Sequence, residues 1–208
     1  MAKDRAGVPR SRQRKVRRQL AGIALSAAAQ AAFAQPPLEF KGLPLGSSVD
    51  QAKQHFAALE CRPSTGAAEL GDTVCFSLAR IGCPVGGCEK PTLATYAGVD
   101  LELAVLHFGG DRLLSVSMRY KPEVADQIIE AITLKHGKPT ADTRTTVQNR
   151  MGAAFEQREA TWDTPGGRLK VSRYAGRVTS GLASITGIDA VQYMQSRRPS
   201  KEQRLNDM

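Results

Sequence analysis

LELAVLHFGGDRLLSVSMRY, residues 101–120, decides the fold. Two runs rich in strand formers flank Gly109-Gly110, and a two-residue Gly-Gly loop suits the mirror-image turns that hairpins prefer. That loop predicts Leu101 opposite Met118, Leu103 opposite Val116 and Val105 opposite Leu114, three apolar cross-strand pairs on one face. A three-residue loop would set the same residues against Arg119, Ser117 and Ser115. A one-residue slip moves every side chain to the other face, so the two-residue register is preferred. The second face then carries Glu102, Ala104, Leu106, Leu113, Ser115, Ser117 and Arg119. One side is core and the other mostly polar, as in an antiparallel sheet wetted on one face.

Working outward toward the C-terminus, Lys121-Pro122 closes the hairpin and opens a helix over 122–136, with Pro at its first turn. Val124, Ile128, Ala131 and Ile132 form its apolar stripe, widened by Ala125 and Ile129, and Gly137 ends it ahead of Pro139. A strand is predicted over 144–149. Two more, 153–163 and 168–174, flank the turn signal Thr164-Pro165-Gly166-Gly167. Their register sets Trp162 opposite Leu169 and Ala160 opposite Val171, which makes Trp162 a core residue. The opposite face carries Gln157, Glu159, Thr161, Lys170, Ser172 and Tyr174. A last strand over 178–186 and a helical turn near 189–195 precede the polar tail RRPSKEQRLNDM, expected to be disordered.

Toward the N-terminus, Val49, Ala52, Phe56 and Leu59 recur at helical spacing, so 48–60 reads as a helix capped by Ser47 or Ser48, with Asp50 in its first turn. Residues 61–92 are loop-rich, with one strand near 73–81 and another short one near 93–96. The fold class is therefore α+β: an antiparallel sheet with two helices packed on one face, built from two similar α-βββ halves of about 40–120 and 121–190.

Charge has to be divided before it is interpreted. Of 29 Lys and Arg and 20 Asp and Glu, residues 1–34 hold eight and one, which leaves 21 against 19 from Gln35 onward, a net +2. The basic excess is thus no footprint of nucleic-acid binding by the folded part. Basic SRQRKVRRQ, the Ala-rich apolar run LAGIALSAAAQAAF and Ala32-Phe33-Ala34 follow the order of a cleavable export signal, with Gln35 as the new N-terminus. The run is too short and too weakly apolar for a stable membrane span. Arg17-Arg18-Gln19-Leu20 resembles the twin-arginine signal, which leaves that route open beside general secretion. No Cys follows the cleavage site, so no lipid anchor is implied. The expected organisation is a 1–34 leader, one periplasmic domain over 35–196 that is long enough to bury about 70% of its unfolded surface, and a 197–208 tail.

An even cysteine count in an exported chain implies disulfides. Cys61, Cys75, Cys83 and Cys88 are separated by 13, 7 and 4 residues, which is neither the close pairing of a zinc site nor a C-x-x-C redox motif. Proximity favours Cys61–Cys75 with Cys83–Cys88. Cys61–Cys88 with Cys75–Cys83, and Cys61–Cys83 with Cys75–Cys88, remain the rivals.

No sequence motif assigns a catalytic, metal or cofactor residue. His55, His107 and His136 form no ligand-spaced pair, and Gly109-Gly110 and Gly166-Gly167 join strands rather than open helices as phosphate loops do. His136 suits a helix C-terminus as a cation or donor. The functional expectation is a non-enzymatic exported protein that binds a protein or cell-envelope component through Gln157, Glu159, Lys170, Ser172 and Tyr174, because an aromatic among polar groups suits an interface. The alternative is an envelope hydrolase, or another enzyme whose site is assembled from distant residues.

The capped entry FKGLPLGSSVDQAKQHF, the helix end LKHGKP and the later Trp strand resemble two families of small periplasmic proteins with tandem helix-plus-sheet repeats. These are the β-lactamase-inhibitor-like proteins and the BamE outer-membrane assembly lipoproteins. The layout covers about 40–195, without the lipid-anchored Cys of BamE. The resemblance implies partner binding and brings no catalytic residue with it.

Overall fold

The structure is a computed structural model and describes residues 38–65, 71–77 and 90–196. They belong to a compact unit that starts at Gln35. The expectations for the 1–34 leader, for Cys83 and Cys88, and for the 197–208 tail fall outside the described residues.

Among the described residues twelve strands and three helices follow in order: β1 Glu39–Phe40, β2 Leu43–Pro44, α1 Val49–His55, β3 Glu60–Pro63, β4 Thr73–Phe76, β5 Thr95–Tyr96, β6 Val99–Asp100, β7 Leu103–Gly109, β8 Arg112–Tyr120, α2 Ala125–His136 after a 3-10 turn at Pro122–Val124, β9 Ala141–Gln148, β10 Ala154–Thr164, β11 Gly167–Ser172, β12 Gly181–Gly187 and α3 Ile188–Ser196. Eight strands form one antiparallel sheet in the order β3-β4-β7-β8-β12-β11-β10-β9. The class is mixed α+β, as expected. After each of α1 and α2 the chain adds four strands to this sheet, one more than the α-βββ reading allowed. None of the described helices is long and apolar enough to cross a membrane.

The 101–120 hairpin forms with a different turn. Gly110 and Asp111 are its central residues, both at positive φ (55° and 60°), as a mirror-image turn requires. Asp tolerates that region, and its carboxylate accepts the Val49 N–H at 3.1 Å. The register becomes Ala104↔Met118 and Leu106↔Val116, with an irregularity between His107 and Phe108 that leaves Leu114 unpaired. The expected pairs of Leu101, Leu103 and Val105 are therefore wrong, and the inward face of β7 is reversed. Ala104, Leu106 and Phe108 are buried in the core, whereas Leu103 and Val105 are half-buried. Gly109 serves instead as a site of close approach. A Cβ there would lie 2.6 Å from both the Leu114 side chain and the Tyr193 ring of α3.

The second hairpin has the expected register, Trp162↔Leu169 and Ala160↔Val171. Trp162 is 2% exposed and lies in the main core cluster. The same cluster contains Ala52 and Phe56 from α1 and its cap, Ala125, Ile128, Ile129 and Ile132 from α2, and Val116, Met118, Ala183 and Ile185 from the sheet. Each fully buried Val, Ile, Met or Phe side chain among them stabilises the fold by about 1.5–3 kcal/mol. Tyr120 is fully buried, and its hydroxyl donates to the carbonyls of Ser172 and Leu182 at 3.0 and 3.3 Å. Burial pushes its pKa up.

Helix α1 is shorter than the predicted 48–60. Ser48 caps it reciprocally with Gln51, but Phe56 is already extended and Ala58 has φ 51°. That reversal sends Glu60–Pro63 back as a strand, which puts Cys61 directly opposite Cys75 at a Cα separation of 4.1 Å, bonded as expected. The bridge joins two neighbouring strands, β3 and β4. The strand expected near 144–149 begins earlier, at Ala141, and the one expected near 178–186 begins later, at Gly181. The predicted turn at 189–195 is a nine-residue helix lying against β8 and β12.

Candidate functional site

The side chains of the sheet alternate between two faces. Trp162, Ala160, Leu169 and Val171 take the core side, so Gln157, Glu159, Lys170 and Ser172 take the other, and the structure brings all of them together with Tyr174. Glu159 stands opposite Ser172 and accepts its hydroxyl at 2.8 Å, while its second oxygen meets the Lys170 ammonium at 3.2 Å. Partial burial pushes the Glu159 carboxyl up, but the Ser172 and Lys170 hydrogen bonds outweigh it and leave the pKa below the ordinary value. Glu159 is therefore an ionised, engaged carboxylate.

Gln157 has a different part. Its amide donates to the Tyr174 carbonyl and accepts the Tyr174 N–H, each at 2.9 Å, and it is 8% exposed. It acts as a bracket that extends the β10–β11 pairing past Ser172 and fixes Tyr174. Ser172 is also buried. Of the five, Lys170 and Tyr174 are the side chains best placed to meet another molecule.

Tyr174 packs edge-on against Phe155, with centroids 5.9 Å apart and ring planes at 71°. It lines an open groove of about 720 Å³ at the end of the β9–β10 hairpin, together with Val147, Met151, Val178, Arg150 and Arg177. The charged side chains lining the groove are both cations, and Met151 is 92% exposed. Arg177 also lines the adjoining hollow with Arg119 and Glu102. An apolar floor edged by guanidinium groups fits an apolar or aromatic group that carries negative charge nearby. Phe155 was legible in the sequence, being two residues before Gln157 and hence on the same face. Arg177 and Val178 were not, since only the loop after β11 brings them to Tyr174.

The histidines have local partners. His55 Nε2 lies 2.8 Å from the Lys41 carbonyl oxygen, and His107 Nε2 lies 3.2 Å from the Ser117 hydroxyl. His136 has its pKa lowered by burial and by the neighbouring Lys135, which favours the neutral donor over the cation at that helix end. Among the described residues no group of three or more His, Cys, Asp or Glu is placed to hold a metal ion.

No protein-family model, curated protein or solved structure matches this chain.

Proposed function

We propose that this protein is an exported, non-enzymatic binding protein whose open sheet face docks a protein or envelope component, with Tyr174 as the anchor. The single observation that carries this reading is Tyr174, braced edge-on by Phe155, lining a groove edged by Arg150 and Arg177. Half-buried aromatics beside guanidinium groups are the residue types that dominate binding energy at interfaces. The partner presents an apolar or aromatic side chain next to acidic ones.

The repeat-protein resemblance enters on the same footing. The strand order places the four strands after α1 beside the four strands after α2, with β8 and β12 as the seam. We read the two quartets as two copies of one helix-plus-sheet unit, with α1 and α2 on the core side. Export rests on the basic and Ala-rich leader, on the Cys61–Cys75 bridge and on the start of the compact unit at Gln35.

Affinity capture from envelope extract tests the binding site. Tyr174→Ala and Lys170→Ala are each expected to lose a partner that the parent retains. An unchanged set of captured proteins with both variants would sink the sheet-face reading. N-terminal sequencing of protein recovered from the envelope is expected to begin at Gln35, and a start at Met1 in cytoplasmic material would remove the export reading.

A further inference from the structure

We infer that β9 is a self-pairing edge, through which two copies of this chain join their sheets antiparallel about a twofold axis at Thr145. Among the described residues strand β9 pairs with β10 alone, and seven of its eight residues are exposed. Its hydrogen-bonding direction follows from two neighbouring bonds. The Asn149 N–H donates to the Ala153 carbonyl, and the Arg173 N–H donates to the Arg158 carbonyl. Odd positions of β9 therefore turn their main chain toward β10. Asp142, Arg144, Thr146 and Gln148 turn theirs outward.

Proteins guard such edges with Pro, bulges, short length or unbalanced charge. The opposite edge of this sheet is guarded: β3 has four residues and ends in Pro63. β9 has eight, with no Pro, Gly or Lys. Its two charges are cancelled within the chain. Arg158 holds Asp142 through two hydrogen bonds, at 3.0 and 2.6 Å, and Glu156 holds Arg144 at 3.0 Å.

The occupant is a second copy because the strand is complementary to itself in one register. Outward positions must face outward positions, which leaves two registers with near-complete overlap. Centring on Arg144 sets two guanidinium groups against each other, and directly opposed like charges are destabilising. Centring on Thr145 sets Arg144 against the second copy's Thr146, Asp142 against Gln148 and Thr143 against Val147. The twofold axis is perpendicular to the sheet, so the two Tyr174 grooves face the same way on one continuous sheet.

Sedimentation velocity of the full chain, from about 5 to about 500 µM, spans the weak end of measurable association expected for a small edge interface. The parent is expected to shift from monomer to dimer. Thr146→Pro removes an outward N–H that β10 does not use, so it is expected to weaken dimerisation by roughly tenfold or more with unchanged circular dichroism. Thr145→Cys is expected to yield an oxidised crosslinked dimer, because residues facing each other across a narrow antiparallel pair are about 4.5 Å apart, whereas Thr143→Cys is not. A monomer over the whole range overturns the inference and leaves the edge to a strand of another protein. A dimer indifferent to Thr146→Pro also overturns it, and should that variant misfold, absence of the Thr145→Cys crosslink does so.

Discussion

Trp162 donates its indole N–H to the carbonyl of Gly137 at 2.9 Å, which ties β10 to the glycine that ends α2. The ring fills the core and the nitrogen finds a carbonyl partner just past the helix. Trp162→Phe keeps an aromatic ring but loses volume and the donor. It is expected to cost about 2–3 kcal/mol, read as a lower urea midpoint by circular dichroism. An unchanged midpoint would mean that neither the packing nor the bond matters.

Arg158 joins two elements in the same way. It forks onto Asp142 of β9 and donates to Asp126 of α2 at 2.9 Å, while Arg173 reaches the other Asp126 oxygen and Glu156. The hydrogen bonds that Arg158 donates to Asp142 lead the causes that raise its pKa. Arg158→Leu is expected to lose about 1–3 kcal/mol of stability, and Arg158→Lys to recover little of it, because an ammonium cannot serve both carboxylates. A Lys variant as stable as the parent would show that charge alone suffices.

Acid should expose the same network. The Arg158 hydrogen bond holds Asp142 below the ordinary carboxylate range, and Glu159 is also lowered once Ser172 and Lys170 have offset its burial. Both carboxyls bind protons more readily unfolded than folded. Their contribution is thus complete above the ordinary carboxylate pKa of about 4 and is lost as pH falls through the lower folded values. Melting temperature is expected to be flat from neutral pH to about 5 and to drop below that, less steeply in Glu159→Gln. An equal drop in that variant would remove Glu159 from the account.

The Cys61–Cys75 bridge closes a loop of sequence separation 14 between directly opposed residues. The double variant Cys61→Ser/Cys75→Ser is expected to lose about 3 kcal/mol, chiefly through the greater freedom of its unfolded chain. Equal urea midpoints for parent and variant under oxidising conditions would contradict this.

Local and short-range signals were legible in the sequence because their physics is local. The Ser48 cap, the Pro122 entry and Gly137 end of α2, and the turn before Gly167 each depend on a few adjacent side chains. The register of β10 with β11 followed from that turn, and the register placed Trp162 in the core and gathered Gln157, Glu159, Lys170, Ser172 and Tyr174 on one face.

The first hairpin shows where that reasoning stops. Gly109-Gly110 and Gly110-Asp111 are both acceptable turns, and the choice was made by contacts distant in sequence. Val49 engages the Asp111 carboxylate, and Tyr193 occupies the space that a side chain at position 109 would need. In the resulting register, with its bulge at Leu114, Leu106 and Phe108 lie in the core and Leu103 and Val105 are half-buried. The early end of α1, the open edge of β9 and the arrival of Arg177 beside Tyr174 were likewise settled by tertiary structure. Strand order and loop paths depend on contacts between distant parts of the chain, which the periodicity of any single segment does not encode.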